Sequence, residues 1–392
     1  MRKASGIRGP FDVADKIDRT LFVVAILLLF ISVILIASSS VMESQKLYGD
    51  EFYLLKKHVL SIVAALTLAF IAGMIPSYLW EKMSFKLMIA VVVLLVSVLI
   101  FGRTVNAARR WISLGPVNLQ PAELLKLCWI IYLSSFVSRK MVEVRTKLKG
   151  FFKPCIIICV MAFLLLKQPD FGSLVVVTVL AFALLWIAGS PMSYYFFCGI
   201  AGVLGLAGVI AFEPYRILRL TTFVDPWADQ FGAGYQLTQS LMAFGRGGLL
   251  GQGLGNSIQK LGYLPEAHTD FVTSILGEEF GFVGMLAVII LEFVIVFKAL
   301  KLGFEILRNG PKFQGFVASG IGVWFCLQTT INIAVASGAM PTKGLTLPLV
   351  SFGGSSMIVF CVATAVLLRI DFEMRRGLID FSADDSAEEE KK

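Results

Sequence analysis

The chain has 392 residues, of which 57% are hydrophobic and 16% are charged, and its mean hydropathy is +0.80. Soluble domains carry about 25% charged residues and lack repeated apolar runs of about 20 residues, so this composition excludes a soluble domain with a single anchor. The net charge of +8 does not imply nucleic acid, because basic loops on one side of a membrane give the same excess.

Apolar runs of spanning length follow a basic N-terminal segment, residues 1–20, and continue to residue 370. We place them at 21–41, 58–75, 85–102, 121–137, 154–166, 171–188, 193–212, 271–297, 313–336 and 349–369. About 20 apolar residues cross a bilayer as a helix, and the runs are too continuous for the alternating pattern of a membrane barrel. The sequence therefore predicts an all-α polytopic membrane domain, residues 21–370, with about ten spans and a retained first span.

The basic residues predict the orientation of these spans. Lys and Arg cluster in the N-terminal segment, in residues 138–153 and after the eighth run, and with ten spans all three clusters lie on one side, which is cytoplasmic. Both termini are then cytoplasmic, the acidic tail 371–392 is predicted to be disordered, and the long segment 213–269 lies outside. A connection of this length is usually functional, and its glycine-rich part could dip into the membrane against protein.

Several kinds of site do not fit the sequence. GQGLGN lacks the strand and helix of a dinucleotide-binding unit, and two histidines, His58 and His268, cannot build a histidine-rich metal site. No nucleophile motif marks a serine for a triad with His268, and the six cysteines fall in apolar runs as buried thiols. No cofactor follows from the motifs, and a divalent cation such as Mg²⁺ is left open.

The stretch PEAHTDF places Glu266, His268 and Asp270 directly before the eighth apolar run. We expect Asp270 in the first turn of that helix, with Thr269 as its N-cap. Asp270 could complement the helix dipole, or it could act as a general base or ligand at the membrane surface. The residues alone leave both interpretations open.

Cations in separate outer loops have two interpretations as well. Arg109 and Arg110, beside Trp111, and Lys343 could anchor helix ends at the interface, or they could bind an anion such as pyrophosphate.

Three charged residues are predicted inside the spans, where a charge requires a partner or neutralisation. Glu278 and Glu279 lie about 12–14 Å along the eighth helix from Asp270, which predicts a position deep in the hydrocarbon. We expect one of them to pair with Lys126 of the fourth span, or with a polar side chain of another helix such as Gln328 or Asn332. Their expected role is structural support for the site.

Four long stretches resemble the SEDS family (shape, elongation, division and sporulation). They are ARRWISLGPVNLQPAELLKL, KQPDFGSLVVV, GNSIQKLGYLPEAHTDFVTSILGEEFGFVG and PTKGLTLPLVSFGGSS, and the resemblance extends over residues 20–376. Within the family, PEAHTDF and KGLTLPLVSFGGSS are similar to the division-type branch rather than to the elongation-type branch. The ten-span topology of the family agrees with the orientation obtained from the basic residues.

The resemblance implies an inner-membrane peptidoglycan glycosyltransferase that polymerises lipid II at the division septum, together with a class B penicillin-binding protein (a transpeptidase) and other membrane proteins of the divisome. The essential aspartate of the family corresponds to Asp270. An α-linked pyrophosphate donor that gives a β-1,4 product implies inversion with one general base. Glu266, His268, Arg109, Arg110 and Lys343 are then expected to contact substrate. A lipid II flippase and a noncatalytic divisome scaffold are the alternatives.

Overall fold

The computed structural model describes residues 17–379, except 106–107, 115–116, 212–222, 311 and 343. The helices are α1 Arg19–Ser39, α2 Val41–Tyr48, α3 Tyr53–Met74, α4 Ser77–Phe101, α5 Pro121–Thr146, α6 Leu148–Lys167, α7 Phe171–Ile187, α8 Met192–Ala211, α9 Tyr235–Gly247, α10 Val272–Leu307, α11 Phe313–Ala336 and α12 Gly354–Arg375. A short 3₁₀ helix covers Gln259–Leu261, and three strands are β1 Arg103–Val105, β2 Ala108–Leu114 and β3 Val117–Leu119.

Ten of these helices coincide with the ten predicted apolar runs. Eight are long and apolar enough to cross a membrane, namely α1, α3, α4, α5, α6, α10, α11 and α12. The helix α7 is a shorter apolar helix, and α8 has 20 residues. The predicted class, a mostly helical polytopic membrane protein, is confirmed, whereas the count of ten spans and their orientation stay predictions. Residues 1–16 and 380–392 of the two predicted terminal segments lie outside the described residues.

The centre of the bundle consists of α5, α11 and α12, whose apolar stretches are 72% buried, against 28% for α3 and α4. Trp324 of α11 is fully buried and stacks on Phe360 of α12 with 4.5 Å between ring centroids. The outer helices expose large apolar side chains such as Phe70 and Phe101, as expected of surfaces that face lipid. The central helices therefore form a rigid frame for residues at their ends.

A small antiparallel sheet in the order β1-β2-β3 lies between α4 and α5, where the sequence analysis expected an irregular loop. Its outer strands have three residues each, which is too short for a clear alternation of polar and apolar positions. Successive residues of a strand point to opposite faces. The sheet therefore separates the neighbouring Arg109 and Arg110 of β2.

Helix α10 folds back on itself at Gly281, whose φ of 68° and ψ of −168° are not helical. Thr273 donates a hydrogen bond to Asn332, and Glu292 accepts one from Thr329 at 3.5 Å, and these two partners lie within one turn of each other on α11. In a straight helix Thr273 and Glu292 would lie about 28 Å apart. The segment 272–280 must therefore turn back beside the longer segment 282–307.

The glycine-rich part of the outer segment fills the break in α10. The amides of Gln252 and Gly253 donate to the carbonyls of Glu278 and Glu279, at 3.0 and 2.9 Å. In return, the amides of Phe282 and Val283 donate to the carbonyls of Gly248 and Leu249, at 2.9 and 3.1 Å. A Cβ on Gly251, which has φ +81°, would lie 2.2 Å from the Glu279 carbonyl oxygen. The close approach of these two backbones explains the glycine at this position.

Candidate functional site

Asp270 lies in a turn that ends just before α10. The amides of Thr269 and Phe271 both donate to the Glu266 carbonyl at 3.2 Å, and Glu266 itself has a left-handed φ of 56°. The Thr269 hydroxyl donates to the Glu266 carboxylate at 2.6 Å. The helix begins at Val272 without a side-chain cap, so the predicted N-cap role of Thr269 is wrong, because its hydroxyl closes the turn instead. We call residues 266–271 the Asp270 turn.

Asn332 of α11 holds this turn in place and is 1% exposed. Its side-chain amide donates to the backbone carbonyl of Asp270 at 2.9 Å and to that of Leu345 at 2.7 Å. Its oxygen accepts a hydrogen bond from the Thr273 hydroxyl. One buried amide therefore joins the Asp270 turn, the start of α10 and the segment 344–350. Asn332 was predicted only as a partner for a glutamate, and its hydrogen bonds to the Asp270 and Leu345 carbonyls were not predicted.

The segment after α11 packs directly on the carboxylate of Asp270. A Cβ on Gly344 would lie 2.8 Å from Oδ2 of Asp270, which is closer than side-chain carbons approach other heavy atoms. The glycine thus permits the backbone to approach the carboxylate. Lys343, the predicted cation next to it, lies outside the described residues.

The surroundings of Asp270 favour its neutral form. Burial, and then the nearby Glu266 and Glu123, raise its pKa to about 7, against the opposing charges of His268 and Arg110. A carboxyl with a pKa near 7 suits a general base, because a large fraction of it is ionised at neutral pH and the ionised form binds a proton more strongly than an ordinary carboxylate. The raised pKa means that the ionised carboxylate of Asp270 binds a proton more strongly than an ordinary aspartate does. Asp270 also precedes Val272, the first residue of α10, so it is not in the first helical turn that the dipole interpretation requires.

The charge of Arg110, which is partly buried, acts on Asp270, whereas Arg109 is exposed. The guanidinium of Arg110 donates through Nε to the Gln168 carbonyl at 3.1 Å and through Nη2 to the Pro169 carbonyl. The neighbouring Arg109 donates through Nη1 to the Leu99 carbonyl at 3.5 Å. Trp111 of β2 is partly buried. Of the two arginines, only Arg110 is among the charges that lower the pKa of Asp270.

Lys126 is completely buried in α5 and pairs within its own helix. Its ammonium lies 2.7 Å from Glu123, one turn earlier, and donates to Gln328 of α11 at 3.2 Å. Lys126 and Gln328 were each predicted as partners of Glu278 or Glu279, but they contact each other instead. Because Glu123 also contributes to the charge around Asp270, the ion pair lies near the Asp270 turn. Glu123 was missed as a member of the site.

Glu278 and Glu279 are 0% and 1% exposed. Glu279 accepts from a polar side chain of another helix, as predicted, but neither Lys126 nor the named candidates Gln328 and Asn332 is a partner of either glutamate. Glu278 lies 2.6 Å from Arg246 and accepts from the amides of Ile258 and Gln259 at 2.9 and 3.2 Å. Glu279 lies 2.8 Å from Lys260 and accepts from Ser38 at 2.6 Å. The fold at Gly281 is the reason, because it places both glutamates at the end of α1 beside the outer segment.

We expect Glu278→Gln to lower the melting temperature of the purified protein in detergent. A neutral amide loses the Arg246 ion pair and turns its NH₂ group toward amide donors, which costs about 1–3 kcal/mol. Glu305→Gln, an exposed position of the same helix, is the matched control. Equal melting of Glu278→Gln and wild type would show that the outer segment does not depend on this carboxylate.

Within the described ranges, no group of three or more His, Cys, Asp or Glu side chains has the arrangement of a metal site. The groups that converge on the Asp270 turn are instead carboxylates balanced by single cations.

Proteins of known name match this chain along most of its length. The family model described as "Cell cycle protein", covering FtsW, RodA and SpoVE, matches residues 18–376. The chain is 49% identical over 358 residues to the probable peptidoglycan glycosyltransferase FtsW of Tolumonas auensis, covering 91% of this chain and 93% of the relative. It is 46% identical over 358 residues to the corresponding protein of Escherichia coli, covering 91% and 86%.

Two solved structures have the same fold. One belongs to a study of polymerization and crosslinking by a peptidoglycan synthase complex, with a TM-score of 0.76, 26% identity, and 91% of this chain and 98% of that chain covered. The other is the rod shape determining protein RodA of Thermus thermophilus, with a TM-score of 0.67, 24% identity, and coverage of 91% and 97%.

The bundle and its carboxylate site define a polytopic helical membrane protein with a polar site where α11 ends. The chain belongs to the FtsW/RodA/SpoVE family, which is the SEDS family that its sequence motifs resemble.

Proposed function

We propose that the chain is a peptidoglycan glycosyltransferase that polymerises lipid II into glycan strands at the outer face of the cytoplasmic membrane. The observation that carries this proposal is the placement of Asp270, a carboxyl with a pKa of about 7 on a turn fixed by Asn332. Relatives that share nearly half of its residues are named probable peptidoglycan glycosyltransferases. Their name FtsW supports a role at the division septum.

The proposed reaction is a single displacement with inversion. Ionised Asp270 accepts the proton of the 4-hydroxyl group of the acceptor sugar, whose oxygen forms a bond to the anomeric carbon of the donor. The bond from that carbon to the pyrophosphate oxygen breaks, and the lipid pyrophosphate leaves with the electron pair. Arg110, Arg109 and Lys343 are proposed to offset the charge of the leaving group, with Glu266 and His268 on the acceptor side.

We expect Arg110→Lys to reduce polymerisation by about 10- to 100-fold, the range that a small misplacement beside the reacting atoms causes. A lysine ammonium cannot reproduce the fork that joins the Gln168 and Pro169 carbonyls. The measurement is the initial rate of polymer formation, with the exposed Arg308→Lys as the matched control. A wild-type rate for Arg110→Lys would favour the interpretation of Arg110 as a simple interfacial anchor.

A class B penicillin-binding protein is the proposed partner. The structural neighbour with a TM-score of 0.76 comes from a peptidoglycan synthase complex, and a polymerase needs a transpeptidase beside it if the new strands are to be crosslinked. Other membrane proteins of the divisome are proposed to bind the same complex at the septum.

Purified protein and labelled lipid II test the proposed function directly. In detergent no sealed compartment exists, so a flippase or a scaffold yields no product, whereas a glycosyltransferase yields polymer that lysozyme degrades. Polymer formation by the protein together with its transpeptidase partner, in which any glycosyltransferase activity must come from this chain, is the expected result. Unchanged lipid II under these conditions would contradict the proposal.

A further inference from the structure

His268 is held by a residue from a distant part of the chain. It lies two positions before Asp270 and is 5% exposed. Its Nδ1 lies 3.1 Å from Oε2 of Glu43, whose side chain is 40% exposed. Glu43 belongs to α2, the short helix that follows the first span. The contact therefore connects α2 to the Asp270 turn.

A second contact fixes the imidazole from the side of the segment before α12. The ring of Phe352 meets the ring of His268 edge to face, with 5.2 Å between centroids. The Phe352 amide also donates to the His268 carbonyl at 2.9 Å. Because both its backbone and its ring are held, His268 has little freedom to turn away from Glu43.

The charges around the turn give this contact an electrostatic consequence. The groups that face it are Glu43 and Lys46 from α2, Arg110 from β2, Glu123 from α5, and Glu266, His268 and Asp270 from the turn itself, with His58 of α3 on the far side of Phe352. The close contact with His268 is the first cause that lowers the pKa of Glu43. The charge of His268 in turn lowers the pKa of Asp270, against burial and Glu266, which raise it.

We propose that Glu43 is a positioning residue of the glycosyl transfer, which contacts His268 and holds its imidazole ring beside the Asp270 turn. This inference rests on the proposed function. Glu43 does not touch the reacting atoms and acts through His268 alone. The short helix α2 is then a part of the site that the chain contributes from its first outer loop.

Replacing Glu43 with glutamine keeps the size of the side chain and removes its charge. The imidazole loses the contact that holds it beside the Asp270 turn, so that it offsets the charge of Glu266 on Asp270 less. The pKa of Asp270 should rise, so that a higher pH is needed to ionise the base. The rate must therefore fall at low pH and remain close to wild type at high pH.

The test is the initial rate of lipid II polymerisation between pH 5.5 and 8.5 for wild type, Glu43→Gln and Glu43→Asp. The exposed Glu51→Gln is the matched control. We expect the acid limb of the pH–rate profile, where the rate falls with falling pH, to move up by about 0.5–1 pH unit in Glu43→Gln. A neighbouring charge shifts a pKa by about 1–3 units, and the effect of Glu43 on Asp270 is smaller because it acts through His268. Glu43→Asp and Glu51→Gln should keep the acid limb of wild type.

The inference is overturned if the rate of Glu43→Gln falls over the same acidic pH range as the rate of wild type. This holds whether or not the variant is also slower by the same factor at every pH. A purely structural role predicts the equal loss. If Glu43→Gln does not purify as a folded protein, His268→Asn removes the cation directly, and an unshifted limb in that variant overturns the inference equally. Wild type that forms no polymer at any pH would instead contradict the proposed function.

Discussion

Asp270→Asn is expected to abolish polymerisation while it leaves the fold intact. Asparagine has the same shape as aspartate but cannot accept a proton at neutral pH, and the loss of a general base costs about 100- to 10,000-fold in rate. Burial raises the pKa of Asp270 to about 7, so the folded protein pays a free energy to ionise it. The neutral variant should therefore melt at the same temperature as wild type or higher, when both are measured at pH 8.

The matched control is Asp225→Asn, an exposed carboxylate of the same outer segment. Its side chain accepts a hydrogen bond from the Trp227 amide at 3.2 Å, which an asparagine oxygen can also accept, so its rate should equal that of wild type. Near-normal polymer length and rate from folded Asp270→Asn protein would remove Asp270 as the base.

Asn332→Asp is expected to have the second largest effect. The substitution keeps the shape and the acceptor for Thr273, but removes the two donor hydrogens that hold the carbonyls of Asp270 and Leu345. Two buried carbonyls then lack their donor and face a carboxylate, which costs about 1–3 kcal/mol for each group. A displacement of Asp270 by about 1 Å reduces catalysis by about 100-fold, so we expect a loss of that order together with lower thermal stability.

Asn309→Asp, at an exposed position after α10, controls for the chemical change itself. If Asn332→Asp melted at a lower temperature but polymerised lipid II at the wild-type rate, the amide would hold the segments together without placing Asp270 for the reaction.

The helices could be predicted because their signal is local. Most of the apolar runs are long enough to cross a membrane, and a helix satisfies the backbone of such a run in lipid. The break at Gly281 has no comparable signal, since a glycine inside an apolar run is ordinary in membrane helices. Its conformation depends on the pairing with residues 248–253, which are distant in sequence.

The site was predictable in part for the same reason. PEAHTDF indicated Asp270, because carboxylates next to an apolar run are uncommon, and the family resemblance gave it a role. The partners of Glu278 and Glu279 depend on the fold at Gly281, which directs both side chains toward Arg246 and Lys260. Glu43 and Asn332 come from distant elements, so no spacing in the sequence could connect them to Asp270.

The role of Asp270 as the general base is tested most directly by the pH dependence of lipid II polymerisation by the wild-type protein. The proposed mechanism requires an ionised Asp270, whose pKa is about 7. The rate should therefore be level above pH 8 and should fall by about tenfold per pH unit well below pH 7. Aspartate with its ordinary pKa of about 4 would stay ionised throughout this range. A rate that is constant from pH 5.5 to 8.5 would contradict the assignment of Asp270, with its raised pKa, as the general base.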